Sequence, residues 1–130
     1  MEALTCLLDT SIFADCFRRT DKAETFLYKT SHAASACMSA VTVMELEFGT
    51  TTRQHRLFLA DLVVKDHVLP FDALAAEAAG ALFPDLRAQG QPLETKDLMI
   101  AATAIANNLP LATLDRSHFS RAPGLALVDL

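Results

Sequence analysis

The chain has 130 residues, a length typical of one domain, and nothing in the sequence argues for a second, so residues 1–130 are treated as a single domain. Its 11 basic and 16 acidic residues give a net charge of −5, which disfavours broad electrostatic binding of nucleic acid but leaves a local basic patch open. The sequence shows neither a secretory signal nor an apolar run approaching the roughly 18 residues of a membrane span, so we expect a cytoplasmic protein with no membrane partner. The three cysteines form an odd set without metal-ligand spacing, which indicates reduced thiols in the core.

The first apolar run, residues 4–8, ends abruptly in Asp9, Thr10 and Ser11. Such a run is typical of a fully buried strand in a parallel sheet. Asp9 would then lie at the carboxyl end of the strand, where open α/β sheets form their sites. Asp9 could equally cap the helix that follows, because its side-chain oxygen can accept a bond from a backbone N–H of the first turn.

The rest of the chain alternates apolar runs of strand length with stretches of helical spacing. This alternation predicts an α/β fold of three layers, in which helices cover both faces of a parallel sheet of four or five strands. After the first strand, we expect strands at 36–39, 67–71, 111–113 and 125–128, and helices at 12–19, 21–31, 41–49, 52–65, 72–87 and 96–107.

Three residues refine the predicted helices. Asp21 and Thr95 are expected to cap the helices that follow them. Pro84 lies inside the helix predicted for residues 72–87. We expect a kink or a break there, because an interior proline removes a hydrogen bond and costs about 3 kcal/mol.

Four acids are predicted to meet at one edge of the sheet. Asp9 and Asp115 follow the carboxyl ends of two strands, and Glu45 and Asp97 lie in the first turns of helices. Two like charges about 4 Å apart repel by about 4 kcal/mol at an effective dielectric of about 20, so such a cluster needs a cation or raised pKa values. Oxygen ligands without a matching set of histidines or cysteines favour Mg²⁺ or Mn²⁺, and such an ion supports cleavage of a phosphodiester.

Each acid also has a simpler explanation. Asp97 could serve only the positive end of a helix dipole, and Asp115 could be an ordinary turn or cap residue. Glu45 is harder to explain in this way. At about 100° per residue it shares a side of its helix with Val41 and Phe48, and a carboxylate on an apolar face needs a partner.

Four segments, in order, carry a family resemblance: residues 7–11 (LLDTS), 43–49 (VMELEFG), 97–104 (DLMIAATA) and 112–115 (ATLD). From about Leu7 onwards, the chain resembles the PIN-domain ribonucleases of the VapC toxin type. The resemblance implies a metal-dependent endoribonuclease that hydrolyses RNA phosphodiester bonds and acts as the toxin of a type II toxin–antitoxin pair.

The resemblance also implies roles for individual residues. Mg²⁺ is the implied cofactor, and Mn²⁺ could replace it. Asp9 and Asp97 would be the main ligands of the ion. The family's catalytic and metal-binding positions are occupied by Asp9, Glu45, Asp97 and Asp115, and Thr113 matches a hydroxyl that supports the family's site. Thr10 and Ser11 are further candidates for supporting residues, and many relatives have Asn at the position of Ser11.

The implied partners are an RNA substrate, a VapB-type antitoxin and a second copy of the chain. An apolar content of 52% agrees with a surface that a partner covers, which we expect on the helices around Phe26 and Leu59. Local cations would hold the RNA, and the candidates are Arg18, Arg19, Arg53, Arg56, Arg116 and Arg121.

Two other functions use the same acids or the same fold. A phosphatase or phosphoacceptor domain would use Asp9 as a nucleophile, but such sites usually have a second acid two residues on and a lysine after a later strand. This chain has Ser11 at the first position and no lysine at the second. A PIN-like module could also bind RNA or protein without cutting it, and a missing acid would favour that function, whereas all four acids are present.

Overall fold

The computed structural model describes residues 5–27, 36–65, 67–90 and 92–130. The strands in these ranges are β1 (Cys6–Leu8), β2 (Ala36–Ser39), β3 (His67–Leu69) and β4 (Leu111–Ala112). The α-helices in the same ranges are α1 (Thr10–Arg18), α2 (Ala40–Gly49), α3 (Arg53–Lys65), α4 (Ala73–Ala88), α5 (Thr95–Ala106) and α6 (Arg116–Phe119). The alternation of strands and helices confirms the predicted α/β class.

The four strands form one parallel sheet in the order β3, β2, β1, β4. Because all of them point the same way, the residues that follow β1, β2 and β4 emerge at one edge. The register places Leu8 opposite both Met38 and Ala112. Asp9 and Thr113 therefore leave neighbouring strands at the same level.

The sheet separates two apolar clusters, because successive side chains of a strand point to opposite faces. Leu7 and Cys37 pack with residues of α4 and α5, whereas Leu8 and Met38 pack with residues of α1 and α3. The three cysteines are buried thiols, as predicted. No helix among the described residues combines the length and the apolar character that crossing a bilayer requires.

The predicted strand at residues 125–128 is reduced to a single bridge between Leu111 and Leu127. Two hydrogen bonds hold it: the Leu111 N–H donates to the Ala126 carbonyl at 2.9 Å, and the Val128 N–H donates to the Leu111 carbonyl at 2.9 Å. The sheet of the described residues therefore has four strands, and the C-terminal segment covers the outer edge of β4.

Two helix starts differ from the predicted ones. Ser39 caps α2, since its hydroxyl accepts a bond from the Val41 N–H at 3.0 Å, and the helix begins one residue earlier than predicted. Glu94 precedes α5, so Thr95 lies inside the helix and the predicted Thr95 cap is wrong.

The segment predicted as a helix over residues 21–31 begins as a short 3₁₀ turn, Lys22–Glu24, and residues 28–31 lie outside the described ranges. Asp21 makes no side-chain cap to this turn. Its carboxylate pairs instead with the Arg19 guanidinium at 3.0 Å, because the two side chains meet on the surface.

The burial of α2 and α3 differs from the predicted faces. Val41 is buried beside the partly buried Glu45, as expected, but Phe48 is 75% exposed. Leu59, expected near a surface that a partner covers, is only 2% exposed and belongs to the core below α3. The apolar surface of this region therefore lies on other residues.

Helix α4 runs through Pro84 without the predicted break. Pro84 and Gly80, whose carbonyl would have accepted the missing N–H bond, are both exposed, so water can solvate that carbonyl. Leu82 and Leu86, on either side of the proline, are buried in the core. Packing of these two side chains outweighs the cost of the proline.

Pro84→Ala should raise the free energy of unfolding by about 1 to 3 kcal/mol, because alanine restores the N–H donor and removes the ring. The greater entropy of the unfolded variant offsets part of this gain. The midpoint of urea unfolding, at an unchanged slope, measures it. Pro92→Ala, outside any helix, is the matched control, and an equal gain in both variants would contradict this explanation.

Candidate functional site

Asp9 stands at the carboxyl end of β1 and caps α1. Its side-chain oxygen Oδ2 accepts bonds from the Ser11 N–H at 3.4 Å, the Ser11 hydroxyl at 2.8 Å and the Thr113 hydroxyl at 2.8 Å. Asp9 can therefore be both a helix cap and a site residue. Its Oδ2 accepts the capping bond and the two hydroxyl bonds, and none of these three bonds occupies Oδ1.

Burial is the dominant influence on Asp9, whose exposed fraction is 3%. It raises the pKa of this carboxyl above its ordinary value, and the hydrogen bonds from Thr113, Ser11 and the backbone oppose the rise only in part. The negative charge of Asp9 is thus destabilising where it stands. A proton or a cation would relieve it.

Asp97 lies in the first turn of α5 and meets His118 of α6, with 3.0 Å between Oδ2 and Nε2. Burial is the largest cause that raises the pKa of Asp97, and the bond to His118 opposes it. The negative charges of Asp9 and Glu45 raise the pKa of Asp97 further. Asp97 is therefore close enough to each of the other two acids to be repelled by it.

Glu45 is fixed by contacts to both carboxylate oxygens. The Thr10 hydroxyl donates to Oε1 at 2.7 Å, and the Lys96 ammonium lies 3.5 Å from Oε2. Thr10 also contacts the Thr42 hydroxyl at 3.0 Å, which ties the start of α1 to α2. The carboxylate of Glu45 therefore has the polar partners that its side of the helix requires. They are a hydroxyl from α1 and a lysine from α5.

Asp115 is joined to the other acids only indirectly. Its backbone N–H donates to the Thr113 hydroxyl oxygen at 3.0 Å, and that hydroxyl donates to Asp9. The Asp115 side chain is exposed and makes no capping bond to α6. The structure therefore brings Asp97 near both Asp9 and Glu45 and leaves the carboxylate of Asp115 exposed to solvent.

The donor set suits a hard divalent cation, because it consists of carboxylate and hydroxyl oxygens. Among residues 5–27, 36–65, 67–90 and 92–130, no three histidine, cysteine, aspartate or glutamate side chains are arranged to hold one metal ion together. Glu45 is held towards Thr10 and Lys96, and Asp97 towards His118. The oxygen chemistry of the acids therefore fits the ion.

Three of the six arginines predicted to hold RNA make contacts within the chain, whereas Arg53 and Arg56 of α3 are exposed. Arg19 pairs with Asp21, Arg116 contacts the Val128 carbonyl and lies 3.7 Å from Asp129, and Arg121 contacts His118. Arg18 is exposed at the end of α1. The predicted RNA-binding role of these side chains stays a prediction.

A family model described as PIN domain matches residues 6–125, nearly the whole chain. The chain belongs to the PIN-domain family. This PIN domain is 34% identical over 97 residues to the tRNA(fMet)-specific endonuclease VapC of Shigella flexneri, covering 72% of the chain and 74% of that protein. It is 31% identical to the VapC ribonuclease Y4jK of Sinorhizobium fredii, with 95% of each chain covered.

Solved structures show the same fold. The DNA-bound VapBC of Salmonella typhimurium matches this PIN domain with a TM-score of 0.86 at 24% identity, covering 98% of each chain. The promoter-bound VapBC2 of Rickettsia felis matches with a TM-score of 0.84 at 24% identity, covering 98% of this chain and 99% of that one. The predicted family, the predicted fold and the prediction of a VapC-type endoribonuclease are confirmed.

Two residues of the site of this PIN domain were not predicted from the sequence. Lys96 contacts Glu45 across 51 positions of sequence, a pairing that no local pattern indicates. His118 follows Asp115 by three residues and precedes Arg121 by three, which places the three on one side of a helical turn. That spacing was the available signal for His118.

Asp9→Asn should stabilise the chain near neutral pH in a buffer without divalent ions, because the amide removes a buried charge and keeps an oxygen for the two hydroxyls. The folded-state pKa of Asp9 lies above the unfolded value, so the folded chain binds more protons between the two values. Stability therefore falls as pH rises through this interval, and the loss is complete above the folded-state pKa.

Urea unfolding over a pH series measures this effect. As pH rises, the free energy of unfolding of the Asp9→Asn chain should fall less than that of the wild type. The exposed Asp85→Asn control should show the same fall as the wild type. Identical pH profiles for wild type and Asp9→Asn would show that the buried charge is not destabilising.

Proposed function

We propose that this PIN domain hydrolyses RNA phosphodiester bonds with the help of Mg²⁺ or Mn²⁺, as the toxin of a toxin–antitoxin pair. The observation that carries the proposal is the close grouping of three acids, in which the charges of Asp9 and Glu45 raise the pKa of Asp97. Two relatives, at 34% and 31% identity, are named as an endonuclease and a ribonuclease. The three acids supply carboxylates that could hold the divalent ion of such an enzyme.

Asp9 and Asp97 would hold the ion, with Glu45 and Asp115 completing its surroundings or receiving a proton from the attacking water. When bound, such an ion activates water as a nucleophile and neutralises the charge that develops on the phosphoryl group. Both main ligands are carboxylates whose Oδ2 is already hydrogen-bonded, Asp9 by hydroxyls and Asp97 by His118. These bonds would fix each carboxylate plane before the ion arrives.

The remaining polar side chains would orient the acids. Ser11 and Thr113 hold Asp9, and Thr10 holds Glu45 on the side facing α1. Lys96 supplies a positive charge beside Glu45, which lowers the repulsion within the group and could turn towards a substrate phosphate. Asp115 would approach the group from outside, since its carboxylate is exposed and its backbone is linked to Asp9 through the Thr113 hydroxyl.

Asp9→Asn and Asp97→Asn should each lower Mg²⁺-dependent cleavage of RNA by roughly 100-fold or more, because several kcal/mol of charge stabilisation depend on the ion. Single-turnover cleavage of a mixed RNA pool, with circular dichroism as a check of folding, measures the effect. Asp85→Asn, exposed on α4, is the matched control and should cleave as the wild type does. Full activity in either site variant would refute the assignment of the acids.

We also propose that the chain forms a homodimer and binds a small antitoxin. Its structural neighbours are VapBC assemblies, which is what motivates the antitoxin. Helices α2 and α3 expose four large apolar side chains, Met44, Phe48, Leu57 and Val63. Such a surface is costly to leave in water, so it is the surface on which an apolar segment of the antitoxin would pack.

Light scattering during size-exclusion chromatography should give the purified chain a mass of twice 14.1 kDa. The mass should not change with added Mg²⁺, because the proposed ion binds within one chain. A strict monomer over the whole accessible concentration range would contradict the homodimer, and it would leave the cleavage assignment standing on its own test.

A further inference from the structure

His118 connects an arginine to one of the site acids. On one side, Nη2 of the Arg121 guanidinium lies 3.0 Å from the ring nitrogen Nδ1. On the other side, the ring nitrogen Nε2 lies 3.0 Å from Asp97 Oδ2. Arg121 also donates from Nε to the backbone carbonyl of His118 at 3.1 Å, so two contacts hold the guanidinium on this residue.

The chemistry of the two neighbours decides where the ring proton lies. A guanidinium has only donors, so Nδ1 must be the acceptor in its contact with Arg121. A neutral imidazole carries one proton, which therefore lies on Nε2 and is donated to Asp97. Phe119 packs edge-on against the same ring, with 5.7 Å between the ring centroids, and fixes its plane.

We propose that His118 is a positioning residue, held by Arg121 as the Nε2–H tautomer, whose N–H fixes Oδ2 of Asp97 and leaves Oδ1 of Asp97 to the divalent ion. The proposal rests on the proposed function, because that function makes Asp97 a ligand. It adds two residues, His118 and Arg121, to the machinery of the site. Arg121 then acts through His118 rather than by holding RNA.

A positioning role and a purely electrostatic role predict opposite effects for the same substitution. Removing the positive charge of Arg121 near an acidic group should tighten the binding of a cation if Coulomb attraction alone matters. Removing the partner that fixes the ligand should weaken binding, typically by about 10-fold for residues that orient metal ligands. The direction of the change therefore decides between the two.

The tautomer can be observed without RNA or metal. Long-range ¹H–¹⁵N correlation spectra of the full chain, recorded at about pH 8, distinguish the protonated ring nitrogen from the bare one. The chain has four histidines, and the ring that disappears in His118→Gln belongs to His118. We expect the wild type to show the Nε2–H form, and Arg121→Met to show a larger share of the Nδ1–H form.

The effect on the ion is measured by calorimetric titration with Mn²⁺. His118→Ala and Arg121→Met should each bind Mn²⁺ about 10-fold more weakly than the wild type. His118→Gln, whose amide can still donate to Asp97, and Arg121→Lys, which can still donate to Nδ1, should retain most of the affinity. Arg87→Met, which removes an exposed arginine of α4, controls for the change in net charge and should bind as the wild type does.

The outcomes separate this proposal from the proposed function. An Nδ1–H ring in the wild type would overturn the proposal, and so would unchanged or tighter Mn²⁺ binding by both His118→Ala and Arg121→Met. Loss of affinity in the two conservative variants as well would indicate general damage and also overturn it. A wild type that binds no Mn²⁺ would overturn the metal-dependent function, while the spectra would still decide the tautomer.

Discussion

The central constraint on this protein is a buried carboxylate at the end of a central strand. Asp9 is almost wholly removed from water, and two other acids lie near enough to repel one another. Isolated charges of this kind are among the most costly groups to bury. The parallel topology nevertheless requires the arrangement, because β1 lies between β2 and β4, and the elements that follow these strands converge at one edge.

The chain orients these acids mostly with hydroxyl donors. Hydroxyls of Ser11, Thr113 and Thr10 bind two of the acids, and an imidazole binds the third. Lys96 is the single ammonium in ionic contact with these three acids in the described part of the chain. Neutral donors orient carboxylates without cancelling their charge, so the site is held in shape and stays strongly attractive to a divalent cation.

The sequence was informative where the pattern is local. The apolar run before Asp9, the strand at 36–39 and the helix around Glu45 follow from periodicity, and the structure has them at nearly the predicted bounds. It failed where long-range packing decides. The helix through Pro84 depends on Leu82 and Leu86 reaching the core, and the contact of Lys96 with Glu45 joins segments that only the folded chain brings together.

The arginines show that long-range packing also limits the prediction of function from sequence. A list of basic residues predicts an RNA-binding surface, but Arg19, Arg116 and Arg121 are each engaged with a neighbour of their own chain. Of the arginines predicted to hold RNA, Arg18, Arg53 and Arg56 are exposed and could neutralise phosphates. Counterion release by three side chains is modest, so the affinity for RNA should depend only weakly on monovalent salt.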